Sequence, residues 1–246
     1  PYFDGKGPDR TGCVLCGGCM VGCQFNAKNT LDKNYLYLAE KLGVEIIPET
    51  HVKKIIPTKS GYELITKKST AFFGSTKNYK SKGVVLSGGV MGSVKLLFQC
   101  KNSTMPKISD QLGKFVSTNN EALTGILAPD DSIDYSKGIS ITSGVYPDKN
   151  THIETVRYGM GQDALSPLTT PLVGGGSYPR QLYFITSLIR NPLKFLTTKF
   201  PKDWAKRTTI LLVMQKIDSY MAFDYKSRWW RLGGKSMNSI VQKKDK

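Results

Sequence analysis

Cys13, Cys16, Cys19 and Cys23 form a C-x2-C-x2-C-x3-C run, with Gly17, Gly18 and Gly22 set between them. Four thiols so close, on a backbone that glycine lets fold tightly, raise the question of a shared ligand. The spacing equals that of an iron–sulfur run, in which one compact loop presents thiolates to a cluster, although Gln24 stands where a proline usually follows. Zinc usually draws on two Cys pairs separated by about a dozen residues or more, so it fits this run less well. Disulfides would need short strained loops and would leave Cys100 unpaired. A metal-free packed loop is the fourth reading, and all four stay open on spacing alone.

Two further clusters could do chemistry. Ser87-Gly88-Gly89-Val90-Met91-Gly92-Ser93 follows an apolar run and precedes a helical pattern. Such a turn lets a phosphate approach backbone N–H groups at a helix start. It is an incomplete G-x-G-x-x-G with no acidic residue about 20 positions on, so a structural tight turn competes with a dinucleotide contact. The alternation His152, Glu154, Val156, Tyr158 puts one set of side chains on a single strand face. A carboxylate held there is suited to proton transfer, and the competing reading is a solvated strand carboxylate.

Regular elements must position these groups. Leu31, Tyr35, Leu38 and Leu42 share one helical face, with Thr30 as cap and Gly43 as stop, predicting a helix over residues 31–42. Strands are predicted at 44–47, 51–56, 62–66 and 83–86, followed by a helix over 94–100. Beyond Thr118 the strand-like stretches are 123–127, 139–145, 152–158, 210–215 and 220–225. Residues 180–200 read instead as two short helices broken at Pro192, and Trp229-Trp230 as packing residues.

Composition narrows the class. The 246 residues are 39% hydrophobic and 22% charged, which is globular rather than fibrous or low-complexity. No apolar run approaches the ~20 residues of a membrane-spanning helix. The formal net charge is +16, concentrated after Tyr178, where 15 Lys/Arg face 4 Asp/Glu. The basic residues match no zinc-finger, homeodomain, RRM or KH pattern, so no nucleic-acid partner is assigned. The basic amphipathic stretch 180–200 either covers a sheet or makes a peripheral contact with an anionic membrane. Four clustered thiols favour a reducing or metal-protected setting, and a cytoplasmic or membrane-peripheral location.

Taken together, the Cys run, Ala27-Lys28-Asn29-Thr30-Leu31-Asp32-Lys33-Asn34-Tyr35-Leu36, Ala39-Glu40-Lys41-Leu42-Gly43-Val44, His51-Val52-Lys53-Lys54-Ile55, the stretch from Val84 through Ser93, and Ser109-Asp110-Gln111-Leu112-Gly113 resemble the glucose-methanol-choline (GMC) flavoprotein oxidoreductases. Within them the similarity is to the cholesterol-oxidase-like branch, tight before residue 115 and diffuse after it. The resemblance implies an α/β plus α+β protein: part of a Rossmann-like FAD-binding domain over residues 1–118, a mostly antiparallel-sheet substrate domain over 119–235, and a polar tail over 236–246. It implies FAD as cofactor, with Val52 against the adenine, Ser87, Gly88 and Gly89 near the pyrophosphate, and Asn119 and Asn120 as further cofactor contacts. Glu154 would face the substrate. His51 then has a structural role, and His152 falls where the family has no catalytic histidine. The implied activity is oxidation of the CH–OH group of an alcohol, bulky or sterol-like, by hydride transfer to flavin. An iron–sulfur cluster in the Cys loop would add a route to an external electron acceptor. The alternative function is a non-catalytic iron–sulfur or metal-binding electron-transfer module. The family's G-x-G-x-x-G and catalytic His lie outside these residues, so the chain reads as an interior fragment, expected to be inactive alone.

Overall fold

The structure is a computed structural model and describes residues 2–72, 74–174, 179–227 and 234–241. Trp229 and Trp230 lie outside the described residues. The chain forms two compact units, each built from two stretches: Pro1–Gly43 with Asn119–Ile217, and Val44–Thr118 with Asp218–Lys246.

In the second unit the alternating stretches form strands β1 (Thr50–Thr58) and β2 (Gly61–Lys68), joined by a tight turn in which Thr58 faces Gly61. Strand β3 (Thr76–Ser81) adds to β2, giving the order β1-β2-β3. The register slips between Val52 and Lys54, which makes Lys53 the extra residue of a bulge. Helix α2 (Val90–Lys101) lies against β1. Its Cys100 is fully buried, and the Cys100 Sγ accepts the Ile55 N–H at 3.5 Å. Thr104 Oγ1 donates to the Ile55 carbonyl at 2.6 Å, so one buried strand residue is tied to the helix end on both of its backbone groups. A second sheet has the order β10-β9-β4, from β4 (Val116–Ser117), β9 (Tyr220–Ser227) and β10 (Lys235–Val241). The start of the stretch read as a polar tail is thus a paired strand.

The first unit centres on a four-stranded sheet of order β5-β8-β7-β6: β5 (Glu121–Leu127), β6 (Ile141–Asp148), β7 (Thr151–Val156) and β8 (Thr208–Gln215). The same unit holds α1 (Tyr35–Lys41), α3 (Arg180–Arg190), α4 (Pro192–Lys199) and α5 (Trp204–Arg207), of which α5 meets β8. Val156, Trp204 and Ala205 are its buried apolar residues, and the Tyr158 ring packs on Trp204 at 5.4 Å. The break at Pro192 is where the sequence put it, because proline is tolerated in the first turn of a helix and not inside one.

The fold class holds at its coarser level, a mixed α/β protein with antiparallel sheets. Every ladder between named strands is antiparallel, however, so no Rossmann-like parallel sheet exists among the described residues. The segments 44–47 and 83–86, predicted as strands, belong to no strand or helix. Val85 is 88% exposed, so its β-branched run carries the composition of a buried strand without a neighbouring strand to bury it. The helix predicted over 31–42 is split: a 3-10 turn at Leu31–Lys33, then α1, whose first N–H is capped by the Asn34 side chain. No helix among the described residues is long and apolar enough to cross a membrane.

Candidate functional site

Three of the sequence-predicted residues come together. Val52, Ser87 and Gly88 line one open cleft of about 1270 Å³ within the second unit. Gly89 directly follows them as the residue before α2, with φ 75° and ψ 157°. That conformation is accessible essentially to glycine alone. The N-terminus of α2 has no side-chain cap, so its first N–H groups, which have no partner inside the helix, stay available to an acceptor. Apolar walls come from Val52, Ile55, Leu64, Leu86, Met91 and Leu96.

The cleft also holds cations that the sequence reading missed. The Lys53 bulge brings His51, Val52 and Lys53 to the same cleft, where strict alternation would have turned Val52 away from its neighbours. Lys95, in the second turn of α2, joins them. Lys53 Nζ lies 3.1 Å from His51 Nδ1. Partial burial, together with the positive charges of Lys53 and Lys95, holds the His51 imidazole below its ordinary pKa, so it is neutral near pH 7 and can accept from Lys53. The only sequence signal for Lys53 was its place beside Val52; a bulge cannot be read from alternation.

The remaining predicted residues belong to the first unit. Glu154 lies on β7, opposite Gly144 of β6 and Leu212 of β8. Its carboxylate Oε1 is 3.6 Å from His152 Nε2, and both side chains are about a quarter exposed. The His152 ring stacks on Tyr146 with centroids 4.2 Å apart and planes 2° from parallel. A Cβ on Gly144 would collide with His152 Nε2, so glycine at this position makes room for the imidazole beside Glu154. The amides of Asn119 and Asn120 are engaged locally. Asn119 donates to Glu121 Oε2 at 3.1 Å, and Asn120 to the Ile217 carbonyl at 2.7 Å.

The cysteine loop does not fit a metal or cluster. No three His, Cys, Asp or Glu side chains among the described residues converge as metal ligands, and all five cysteines are free thiols. Cys13 Sγ accepts the Leu15 N–H, and Cys23 Sγ the Ala27 N–H at 3.3 Å. The glycines serve backbone packing instead. Gly17, in the left-handed region at φ 71°, donates to Gly138 O at 2.8 Å and accepts from buried Ser140 Oγ at 2.7 Å. Gly138 N–H donates to Leu15 O at 2.7 Å, closing a short bridge around Cys16. A Cβ on Gly17 would strike Ser136 O and the Gly159 backbone, and one on Gly159 would strike Cys16 O. The loop is therefore docked through close backbone contact, and an iron–sulfur cluster on Cys13, Cys16, Cys19 and Cys23 finds no support among the described residues. Cys23 keeps one chemical distinction: hydrogen bonds from the Ala27, Lys28 and Phe25 backbone lower its thiol pKa below the usual value.

Comparison with known proteins covers the cleft-lining residues from Glu49 to Gln99. Residues 7–114 match the family described as GMC oxidoreductase. A cholesterol oxidase of Acinetobacter baumannii is 40% identical over 99% of this chain and 45% of that protein. A cholesterol oxidase of Mycobacterium tuberculosis (strain CDC 1551 / Oshkosh) is 37% identical over 89% of this chain and 40% of its own length. The chain thus spans about half the length of the curated relatives it matches. No solved structure matches it. Residues 7–114 are thus similar to the GMC oxidoreductase family, and over nearly its whole length the chain is similar to these cholesterol oxidases.

Proposed function

We propose that this chain is part of an FAD-dependent oxidoreductase that oxidises the CH–OH group of an alcohol, with a bulky sterol-like alcohol as the substrate class. The observation that carries the reading is the cleft beside the Ser87–Gly88–Gly89 turn, where a glycine-only conformation, an uncapped helix start and the Lys53 and Lys95 ammonium groups meet apolar walls. Those features suit an adenine and a pyrophosphate together: the apolar side chains exclude water from a base, and the turn and cations neutralise phosphate oxygens. In this reading the Val52 backbone faces the adenine, and Ser87, Gly88 and Gly89 lie along the pyrophosphate. Asn119 and Asn120 remain proposed as further cofactor contacts, although both amides are already engaged.

Bound FAD supplies the acceptor for a hydride from the carbinol carbon. The chain's own task is the proton. Glu154 Oε1 is proposed to receive a substrate proton, and His152, 3.6 Å away, orients that carboxylate. With a sterol, the same carboxylate could move a proton between carbons in an isomerisation that follows oxidation. The electron-transfer alternative depends on a metal held by the four cysteines and is not favoured, since no such ligand group converges among the described residues.

The test is a flavin assay on the full-length protein. Purified protein should show oxidised-flavin absorption bands that bleach when a sterol alcohol is added without an acceptor. A full-length protein that folds yet neither copurifies with nor binds FAD overturns the reading, and bleaching by small alcohols alone overturns its sterol part.

A further inference from the structure

The sequence left open whether the basic amphipathic stretch 180–200 covers a sheet or meets a membrane. In the structure its apolar stripes face outward. Leu182, Ile185 and Ile189 recur at helical spacing along α3 and are about half exposed or more, Ile189 reaching 73%. On α4, Leu193 and Leu196 continue the pattern, with Leu193 at 77%. The side chains that do pack lie between the helices, where the Phe184 and Phe195 rings meet edge to face at 6.1 Å. The pair is anchored through α4, with Thr169 Oγ1 donating to Thr198 O at 3.1 Å and Lys199 Nζ to Pro167 O.

Charge decides what such a surface suits. Between Asp163 and Asp203 there is no acidic residue, against five Lys/Arg. Of these, Arg180, Arg190 and Lys194 are exposed on the same two helices, and Lys202 is exposed three residues beyond them. A second copy using the same face would set like charges against each other in a two-fold contact. An anionic bilayer answers both features: acyl chains take the Leu and Ile side chains without any shape match, while Arg and Lys reach back to the headgroups.

We propose that α3 and α4 form a docking surface for anionic lipid, laid on the membrane interface without spanning it. This rests on the exposed helices alone and is independent of the flavin reading. The experiment is co-sedimentation of the full-length protein with vesicles of phosphatidylcholine alone and of phosphatidylcholine with phosphatidylserine. Binding should require phosphatidylserine and weaken as salt rises. Each exposed cation near such a surface is worth about fivefold in affinity, so Arg190→Gln with Lys194→Gln should weaken binding about 30-fold. Ile185→Ser with Ile189→Ser should abolish it, with the thermal midpoint unchanged because both side chains are exposed. Should that pair prove unstable, the charge variant and the salt dependence decide alone. Absence of binding to phosphatidylserine vesicles, or binding that neither variant nor salt alters, overturns the proposal. So does a dimer that the Ile→Ser pair breaks in a protein that ignores vesicles, since the face would then belong to a second copy.

Discussion

Gly88→Ala separates the ligand reading of the glycine turn from a purely structural one. Gly88 is not among the glycines with positive φ, and a Cβ added there would meet only Ser93 Oγ, at 3.8 Å, an ordinary contact. The folded protein therefore accepts the methyl, and restricting the unfolded chain should leave stability unchanged or raised by about 0.4–1 kcal/mol. A pyrophosphate lying along the turn would not accept it. Inserting one methyl into a filled contact costs about 1–3 kcal/mol, which is roughly 5- to 150-fold in Kd. Gly89→Ala is the control with the opposite signature: nothing lies within 4 Å of its Cβ, but φ 75° with ψ 157° is strained for alanine by about 1–3 kcal/mol. The assay pairs calorimetric titration of the full-length apoprotein with ADP, the pyrophosphate-bearing half of the cofactor, and chemical denaturation without ligand. Gly88→Ala should lose affinity with stability intact, and Gly89→Ala should lose stability. Wild-type ADP affinity in Gly88→Ala would refute the placement of phosphate at this turn. Parallel loss of stability and affinity in that variant would refute the argument that the protein itself has room for the methyl.

Three other outcomes are expected. Glu154→Gln in the full-length enzyme should leave flavin content and thermal midpoint nearly unchanged and lower kcat, or a coupled isomerisation, by about 10²-fold or more; unchanged turnover on every accepted alcohol returns Glu154 to a structural role. Because backbone hydrogen bonds favour the Cys23 thiolate, its deprotonated fraction rises at lower pH than that of an ordinary thiol. Iodoacetamide titrated from acid to alkaline pH, with peptide mapping, should therefore label Cys23 with a midpoint below that of free cysteine measured alongside, and an equal or higher midpoint would contradict this. Gly17→Ala forces a Cβ into the Ser136 and Gly159 backbone at φ 71°, so it should destabilise by more than the roughly 1–2 kcal/mol of a left-handed alanine alone, with a denaturation midpoint that chelators do not shift.

What the sequence could and could not reveal follows from where each element finds its partners. Hairpin β1–β2 was legible because its alternation and its turn lie within a few residues of each other. The three strands absent from that reading, β3, β4 and β10, are all edge strands, as the orders β1-β2-β3 and β10-β9-β4 make plain. Thr76-Lys77-Asn78-Tyr79-Lys80-Ser81 has one half-buried side chain, Tyr79, and exposed polar residues elsewhere. An edge keeps polar groups because it must not recruit another chain, and so it carries no hydrophobic alternation to detect. The converse error, at 83–86, came from apolar β-branched residues that no strand among the described residues pairs.

The cysteine loop shows why spacing was a poorer guide than the glycines between the thiols. Glycine beside cysteine fits two different needs: a backbone wrapping around a cluster, or a backbone pressed against another backbone. The two are identical within residues 13–23 and differ only in what lies on the far side. Here the far side is Ser136, Gly138, Ser140 and Gly159, more than 100 residues along the chain. Gly138 and Gly159 are themselves glycines whose Cβ positions are already filled, by Arg157 and by the Cys16 carbonyl. A glycine that answers another glycine across a contact marks close docking of two main chains, whereas a cluster site would need converging sulfurs and no second glycine segment. That reciprocal pattern is a property of the pair, and a single sequence displays its two halves without the contact that joins them. The cleft beside α2 escapes the ambiguity because its glycine turn, helix start and Lys95 occur within one continuous stretch, residues 87–95, leaving only the Lys53 bulge to be found in three dimensions.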